Sequence, residues 1–326
     1  MNADVLLEVS DLRVEFPTLR GSVRAADGVS FAVSRGEIVG LVGESGCGKS
    51  VTTLALMRLV RPPGRIAGGR ILFEGRDILA MPDGEIRALR GSAMAMIFQN
   101  PMTALDPVFT VGNHIAEVFR AHPDLRTGNV AAAAAAVLER VRIPNPHSQL
   151  RAYPHQFSGG MAQRVMIGMG LAGQPSLLIA DEPTTALDVS VQAQILDLLR
   201  TIRRELKTAI ILITHDLAIT AQMCDRVVVM YAGQVLESSP TRDLFRAPRH
   251  PYTAGLLKSM PRLGHKRDKL EQIPGQPPDL RILPVGCRFA PRCPRAEAHC
   301  TAVEPLLTPA GDGREVRCHF PLTEGQ

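Results

Sequence analysis

EIVGLVGESGCGKSVTTLALMRLV, residues 37 to 60, is the stretch that decides the fold. It opens on a short apolar run of strand length, passes through a turn rich in Gly and Ser, and continues into a segment with helical spacing. Within it, Gly43 to Ser50 fits G-x-x-x-x-G-K-S, and a strand before and a helix after are the context that gives this pattern meaning. Small residues let the backbone wrap so that several N–H groups converge on phosphate oxygens, and the helix N-terminus adds its positive end. The candidate cradle is therefore Gly43, Glu44, Ser45, Gly46, Cys47, Gly48, Lys49, Ser50 and Val51. Lys49 is expected along the β- and γ-phosphates and Ser50 on Mg²⁺, while Cys47 reads as a passenger in the loop.

Outward from this loop, the first forty residues alternate apolar and polar positions (Leu12, Val14, Phe16, then Phe31, Val33), as antiparallel strands do. ILFEG (71 to 75) and AMAMIF (93 to 98) predict further strands, the second ending at Gln99-Asn100-Pro101. Residues 111 to 143 have helical periodicity and read as a helical insert. SLLIAD (176 to 181), a helix over 189 to 203 with Val191, Ile195, Leu198, Leu199 and Ile202 on one face, AIILIT (209 to 214), and RVVVMY and QVLES (226 to 238) follow. Strand and helix alternating around a Gly-rich loop predict an α/β fold, a mostly parallel sheet covered by helices. After Pro240 the composition turns to Pro, Arg and Cys, PGQPPDL (274 to 280) reads as extended linker, and the boundary of a small C-terminal appendage is expected between 240 and 260.

A second carboxylate-bearing motif completes the expected site. LLIADEP (177 to 183) is an apolar strand ending in Asp-Glu, which delivers two carboxylates to the strand ends where the phosphate loop also belongs. Asp181 would hold Mg²⁺ through water, and Glu182 would polarise the attacking water as general base. Alone, such a pair is usually a solvated turn. Together with the phosphate loop it identifies a P-loop NTPase.

Composition narrows the classes. The 326 residues suffice for one α/β domain plus an appendage, and no run approaches the roughly 18 apolar residues that a bilayer span requires. MNADVLLEVSDLRVEF lacks the pattern of a secretory signal. The net charge of +5 is dispersed, Trp is absent and aromatics are 4%, so a base-stacking nucleic-acid platform is disfavoured and no nucleic-acid partner is expected.

Four further segments resemble the ABC ATPases. Phe157-Ser158-Gly159-Gly160-Met161 resembles their signature motif, Gln99 their Q-loop, Thr185-Ala186-Leu187-Asp188 their D-loop, and His215 their switch histidine. The resemblance implies an ABC-type nucleotide-binding domain over 1–250, with an antiparallel β subdomain and a helical subdomain over about 100–172. It implies a head-to-tail dimer in which Ser158, Gly159 and Gly160 cap the γ-phosphate held by the partner's loop, with Asp188 at the interface. It also implies that His215 contacts the γ-phosphate and that Gln99 senses Mg²⁺ and water. Phe16 is the candidate for adenine stacking, with an ordinary core Phe as the alternative. Two departures are visible: Met161 stands where Gln is usual after SGG, and Val51 where many relatives carry Thr.

Longer segments, YPHQFSGGMAQRVMIGMGLA, LLIADEPTTALDVSVQAQILDLL and RAPRHPYTAGLLKSMPR, together with the tail GCRFAPRCPRAEAHC, resemble the ATPase subunits of bacterial dipeptide and oligopeptide ABC importers. That implies a C-terminal extension over 251–326 and a peripheral place on the cytoplasmic face of the inner membrane. The implied partners are a second, paralogous ATPase subunit, two transmembrane permease subunits and an extracytoplasmic binding protein. Haem, nickel chelates and glutathione are alternative cargoes, and a soluble ABC ATPase acting on DNA or the ribosome is the rival class.

Cys287, Cys293, Cys300 and Cys318 are spaced C-x5-C-x6-C-x17-C. Four cysteines can hold zinc or an iron–sulfur cluster, or remain free thiols, and His299 and His319 stand beside them as substitute zinc ligands. The family resemblance implies a [4Fe–4S] cluster on these four.

Overall fold

The computed structural model describes residues 4–19, 21–125, 128–260 and 272–323. The chain divides into two compact units, one made of Met1–Leu6, Ser34–Glu37 and Ala80–Ile213, the other of Leu7–Val33, Ile38–Leu79 and Thr214–Gln326.

The first unit is built on three parallel strands, Met94–Ile97, Leu177–Asp181 and Ala209–Ile213. Leu177 to Ala180 and Ala209 to Ile213 are buried without alternation, which is why they read as continuous apolar runs. The register aligns Asp181 with Ile213, so both strands end together. Helices Val111–Ala121, Val130–Arg140, Gly159–Leu171 and Val189–Leu206 belong to this unit. Each starts at a side chain that accepts a free backbone N–H: Thr110, Asn129, Ser158 and Asp188. Val189–Leu206 buries Ile195, Leu196, Leu198, Leu199 and Ile202. Leu196 thus joins the expected apolar face, and Val191, near the start of the helix, is only half-buried.

The second unit carries an antiparallel sheet and a mixed one. In the antiparallel sheet Val5–Thr18 lies between Gly21–Ser34 and Arg65–Phe73, and Arg76–Asp77 closes the edge. The strand expected at 71 to 75 begins earlier and stops at Phe73, because Glu74 and Gly75 turn with φ of 51° and 76°. In the mixed sheet Ile38–Val42 pairs in parallel with Arg226–Tyr231, which pairs antiparallel with Gln234–Pro240. Two short strands of the C-terminal region, Thr308–Pro309 and Glu315–Val316, extend that sheet through Glu237 opposite Val316.

Buried arginines fasten this region to its sheet. Arg317, 8% exposed, donates through Nε to the Val235 carbonyl at 3.0 Å and through Nη1 to that of Pro305 at 3.2 Å. Arg288 pairs with Asp27 and donates to the Ala232 carbonyl at 2.6 Å. No helix or strand is present from 272 to 289, in keeping with the extended PGQPPDL segment.

Candidate functional site

The phosphate-loop sequence lies in the second unit, between the strand Ile38–Val42 and the helix Lys49–Leu56. Its glycines are demanded by geometry. Gly43 and Gly48 have φ of 150° and 106°, and a Cβ on either would fall 2.1 Å from a backbone oxygen, of Met230 and Ala25 respectively. Gly46, at φ 77°, faces open space instead. The loop is therefore packed on its inner side at Gly43, Cys47 and Gly48 and open to solvent at Ser45, Gly46 and Ser50. Lys49 is 7% exposed and its Nζ donates to the Gly43 and Glu44 carbonyls at 2.8 and 3.0 Å. The Cys47 side chain points inward; burial pushes its thiol pKa up, opposed by the neighbouring Lys49. This suits a packing residue.

Two residues that the sequence did not single out hold the loop from the C-terminal region. The Arg292 guanidinium makes a bidentate pair with the Glu44 carboxylate, Nη1 to Oε2 at 2.7 Å and Nη2 to Oε1 at 3.0 Å. Tyr252 Oη accepts the Glu44 backbone N–H at 3.0 Å. Tyr252, Tyr231 and Phe289 form one aromatic cluster with ring centroids 4.7 to 5.4 Å apart. Phe16, in the same unit, is half-buried with its ring against Gly64, where a Cβ would fall 2.4 Å from Cε1. His215 is exposed between the strand Ala209–Ile213 and the helix Leu217–Met223, which Asp216 caps.

In the first unit, Asp181 closes its strand and Glu182 follows it with φ 47°, its N–H bonded to the Ile213 carbonyl at 3.0 Å. Gln99 Nε2 donates to Glu182 Oε2 at 2.9 Å, and Thr185 Oγ1 donates to the same oxygen at 2.8 Å. The Q-loop and D-loop candidates thus converge on the one carboxylate proposed as base; the Thr185 contact was not foreseen. Asp188 caps its helix, accepting from Val191 N–H at 2.9 Å and Ser190 Oγ at 2.7 Å, and the Ser190 hydroxyl leads the effects that lower its pKa.

Ser158 Oγ accepts the Met161 N–H at 3.3 Å, and Ser158 and Gly159 are exposed at the head of the helix Gly159–Leu171. Gly160 is buried, and a Cβ there would meet Val191 Cγ1 at 2.5 Å. Helix N-termini of this kind receive anions.

The four cysteines line one small cavity with His250, Phe289, Ala290, Arg295 and His319. All four are thiols in no disulfide. Burial raises the pKa values of Cys287, Cys293 and Cys318, the last to about 11, and neighbouring cysteines add to the effect. His250 is 1% exposed; its Nδ1 accepts the Tyr252 N–H at 3.0 Å, which leaves the proton on Nε2. That Nε2 has no partner in good geometry among the described residues, with only the Arg317 carbonyl in weak reach. His299 and His319 stack edge to face at 4.3 Å, and His319 Nε2 bonds to the Val303 carbonyl at 2.9 Å. Among the described residues no group of three or more His, Cys, Asp or Glu side chains is placed to hold a metal ion.

Comparison with known proteins shows the family of the chain. The family model described as ABC transporter matches residues 26–185, and that of the oligopeptide/dipeptide transporter C-terminal region matches residues 236–300. The chain is 49% identical over 324 residues to the oligopeptide transport ATP-binding protein OppD of Escherichia coli strain K12, covering 99% of this chain and 95% of that protein. It is 47% identical over 319 residues to the dipeptide transport ATP-binding protein DppD of the same organism, covering 98% of each. Among solved structures it resembles cbiO1 from Clostridium perfringens, part of the ABC transporter complex cbiONQ, with a TM-score of 0.63 and 27% identity over 74% of this chain and 91% of that one.

Proposed function

Because this chain belongs to the ABC transporter family, among the ATP-binding subunits of its oligopeptide and dipeptide branch, we propose that it binds and hydrolyses MgATP to power import of peptides. The observation that carries the catalytic part is the Glu182 carboxylate, held on one oxygen by Gln99 and Thr185 at the end of a buried parallel strand.

In this reading the loop Gly43 to Ser50 cradles the phosphates, and Lys49 transfers its ammonium from the loop carbonyls to the β- and γ-phosphates. Ser50, Gln99 and Asp181 hold the Mg²⁺ that accompanies the substrate. Glu182 orients water for in-line attack and accepts its proton. His215 contacts the γ-phosphate, and Phe16 stacks on the adenine. The exposed Ser158 and Gly159, with Gly160 and Asp188, serve the second nucleotide of a dimer, so that a paralogous ATPase subunit completes each site. Two permease subunits and an extracytoplasmic binding protein complete the importer, at the cytoplasmic face of the membrane. Among the described residues no helix is long and apolar enough to cross it. Residues 1–250 form the ATPase, with a helical subdomain near 100–172, and 251–326 the extension.

Cys287, Cys293, Cys300 and Cys318 are the proposed ligands of a [4Fe–4S] cluster. Their common place on the lining of one small cavity, as free thiols, supports this. Such a group would supply one-electron redox capacity when bound.

Purification of the tagged chain from membranes tests the transport reading. Recovery with two multi-spanning proteins is the expected result; a pool that is entirely soluble and bound to nucleic acid or ribosomes would refute it.

A further inference from the structure

Glu44 is an anomaly in a loop built for anions: it puts a carboxylate within the segment whose backbone is to face phosphates. At such distances an uncompensated like charge works directly against ligand binding, most strongly where burial limits screening. The structure compensates it from one direction. Arg292 is 6% exposed at its side chain and reaches Glu44 with both guanidinium arms. Its placement is fixed on every side: Nε donates to the Pro274 carbonyl at 2.9 Å, Nη1 to Tyr231 Oη at 3.3 Å, and the guanidinium carbon lies 5.7 Å from the centre of the Tyr231 ring. Tyr252 Oη meanwhile takes the Glu44 N–H. Both the charge and the backbone of Glu44 are therefore tied to the C-terminal region and turned to it.

We propose that Arg292 is a positioning residue for nucleotide binding: by neutralising and anchoring Glu44 it keeps a carboxylate out of the phosphate field and holds the loop open at Ser45 and Gly46. The proposal rests on the nucleotide reading of this loop and adds that the C-terminal extension is part of the nucleotide site. Arg292 closes the short turn Ala290–Arg292 between Cys287 and Cys293, so whatever fixes those cysteines also fixes the clamp.

The test is the affinity of the full-length chain for MgADP, which probes the phosphate loop without requiring hydrolysis. Arg292→Met keeps the stem and frees the carboxylate, and it is expected to weaken binding about tenfold. Arg292→Lys keeps charge without the fork and is expected to fall between that variant and wild type. The double variant Arg292→Met with Glu44→Gln removes the liberated charge and is expected to recover affinity to within about threefold of wild type. A purely structural role for Arg292 would not be rescued by Glu44→Gln, since the packing around the guanidinium stays lost.

An unchanged affinity in Arg292→Met, or a double variant as weak as the single one, overturns the proposal. If Arg292→Met does not fold, the double variant decides alone: wild-type affinity supports charge compensation, and tenfold weaker binding overturns it. A wild-type chain that binds no MgADP overturns the nucleotide assignment itself and this inference with it, whereas normal wild-type binding with unchanged variants overturns this inference only.

Discussion

Gln99 donates its side-chain amide to the Glu182 carboxylate at 2.9 Å, joining residues 83 positions apart within one compact unit. Thr185 donates to the same oxygen at 2.8 Å. A movement of the segment that carries Gln99 therefore also changes how the Glu182 carboxylate is held.

Gln99→Ala should accordingly lower kcat by about tenfold, the worth of one hydrogen bond to a charged group, while leaving KM for ATP within about twofold. Steady-state phosphate release by the assembled transporter measures this. Equal loss in kcat and gain in KM would assign Gln99 to ATP binding instead.

Gly160 has no room for a side chain, since a Cβ would lie 2.5 Å from Val191 Cγ1. Gly160→Ala should cost about 1–3 kcal/mol in unfolding free energy through overpacking, and Val191→Ala in the same chain should return most of it. Urea denaturation of the three variants gives the answer; a double variant no better than Gly160→Ala would place the strain elsewhere.

Glu237 is 1% exposed and accepts the N–H groups of Arg249 and His250 at 2.8 and 2.9 Å. Burial nevertheless raises its pKa above the usual 4.5, because desolvation of the carboxylate outweighs those bonds. The folded chain thus holds this proton where the unfolded chain has released it. Its contribution to stability is present below pH 4.5 and is lost as pH rises through the raised value. Relative to wild type, Glu237→Gln should gain stability as pH rises above 4.5. Denaturation midpoints at several pH values check the sign.

The cysteine cavity makes an optical prediction. Protein prepared anaerobically should be brown, with broad visible absorption that chelation and air bleach together, and Cys293→Ser should remove it. A colourless protein carrying stoichiometric zinc would contradict the cluster.

Much of the fold was legible because the signals are local. The buried strands Leu177–Asp181 and Ala209–Ile213 announce themselves as unbroken apolar runs, and the loop from Gly43 to Ser50 needs its glycines for reasons visible in eight residues. The site was legible only where a motif carried it. Arg292 and Glu44 are 248 positions apart and Tyr252 and Glu44 are 208 apart, and a lone Arg beside a cysteine or a Tyr in HPYT has no spacing that points to a phosphate loop. His250 was equally silent, since its neutral state follows from total burial, which drops its pKa to about 3. The Thr185 contact with Glu182 lay within a recognised motif, yet only the left-handed turn at Glu182 brings the hydroxyl onto the carboxylate.

MgATP-dependent phosphate release by the assembled transporter, with wild-type chain and with Glu182→Gln, decides whether Glu182 is the catalytic carboxylate. Steady release is expected from wild type and a loss of at least about 100-fold in the variant, with ATP still bound and the dimer trapped closed. Normal turnover in Glu182→Gln would contradict that role.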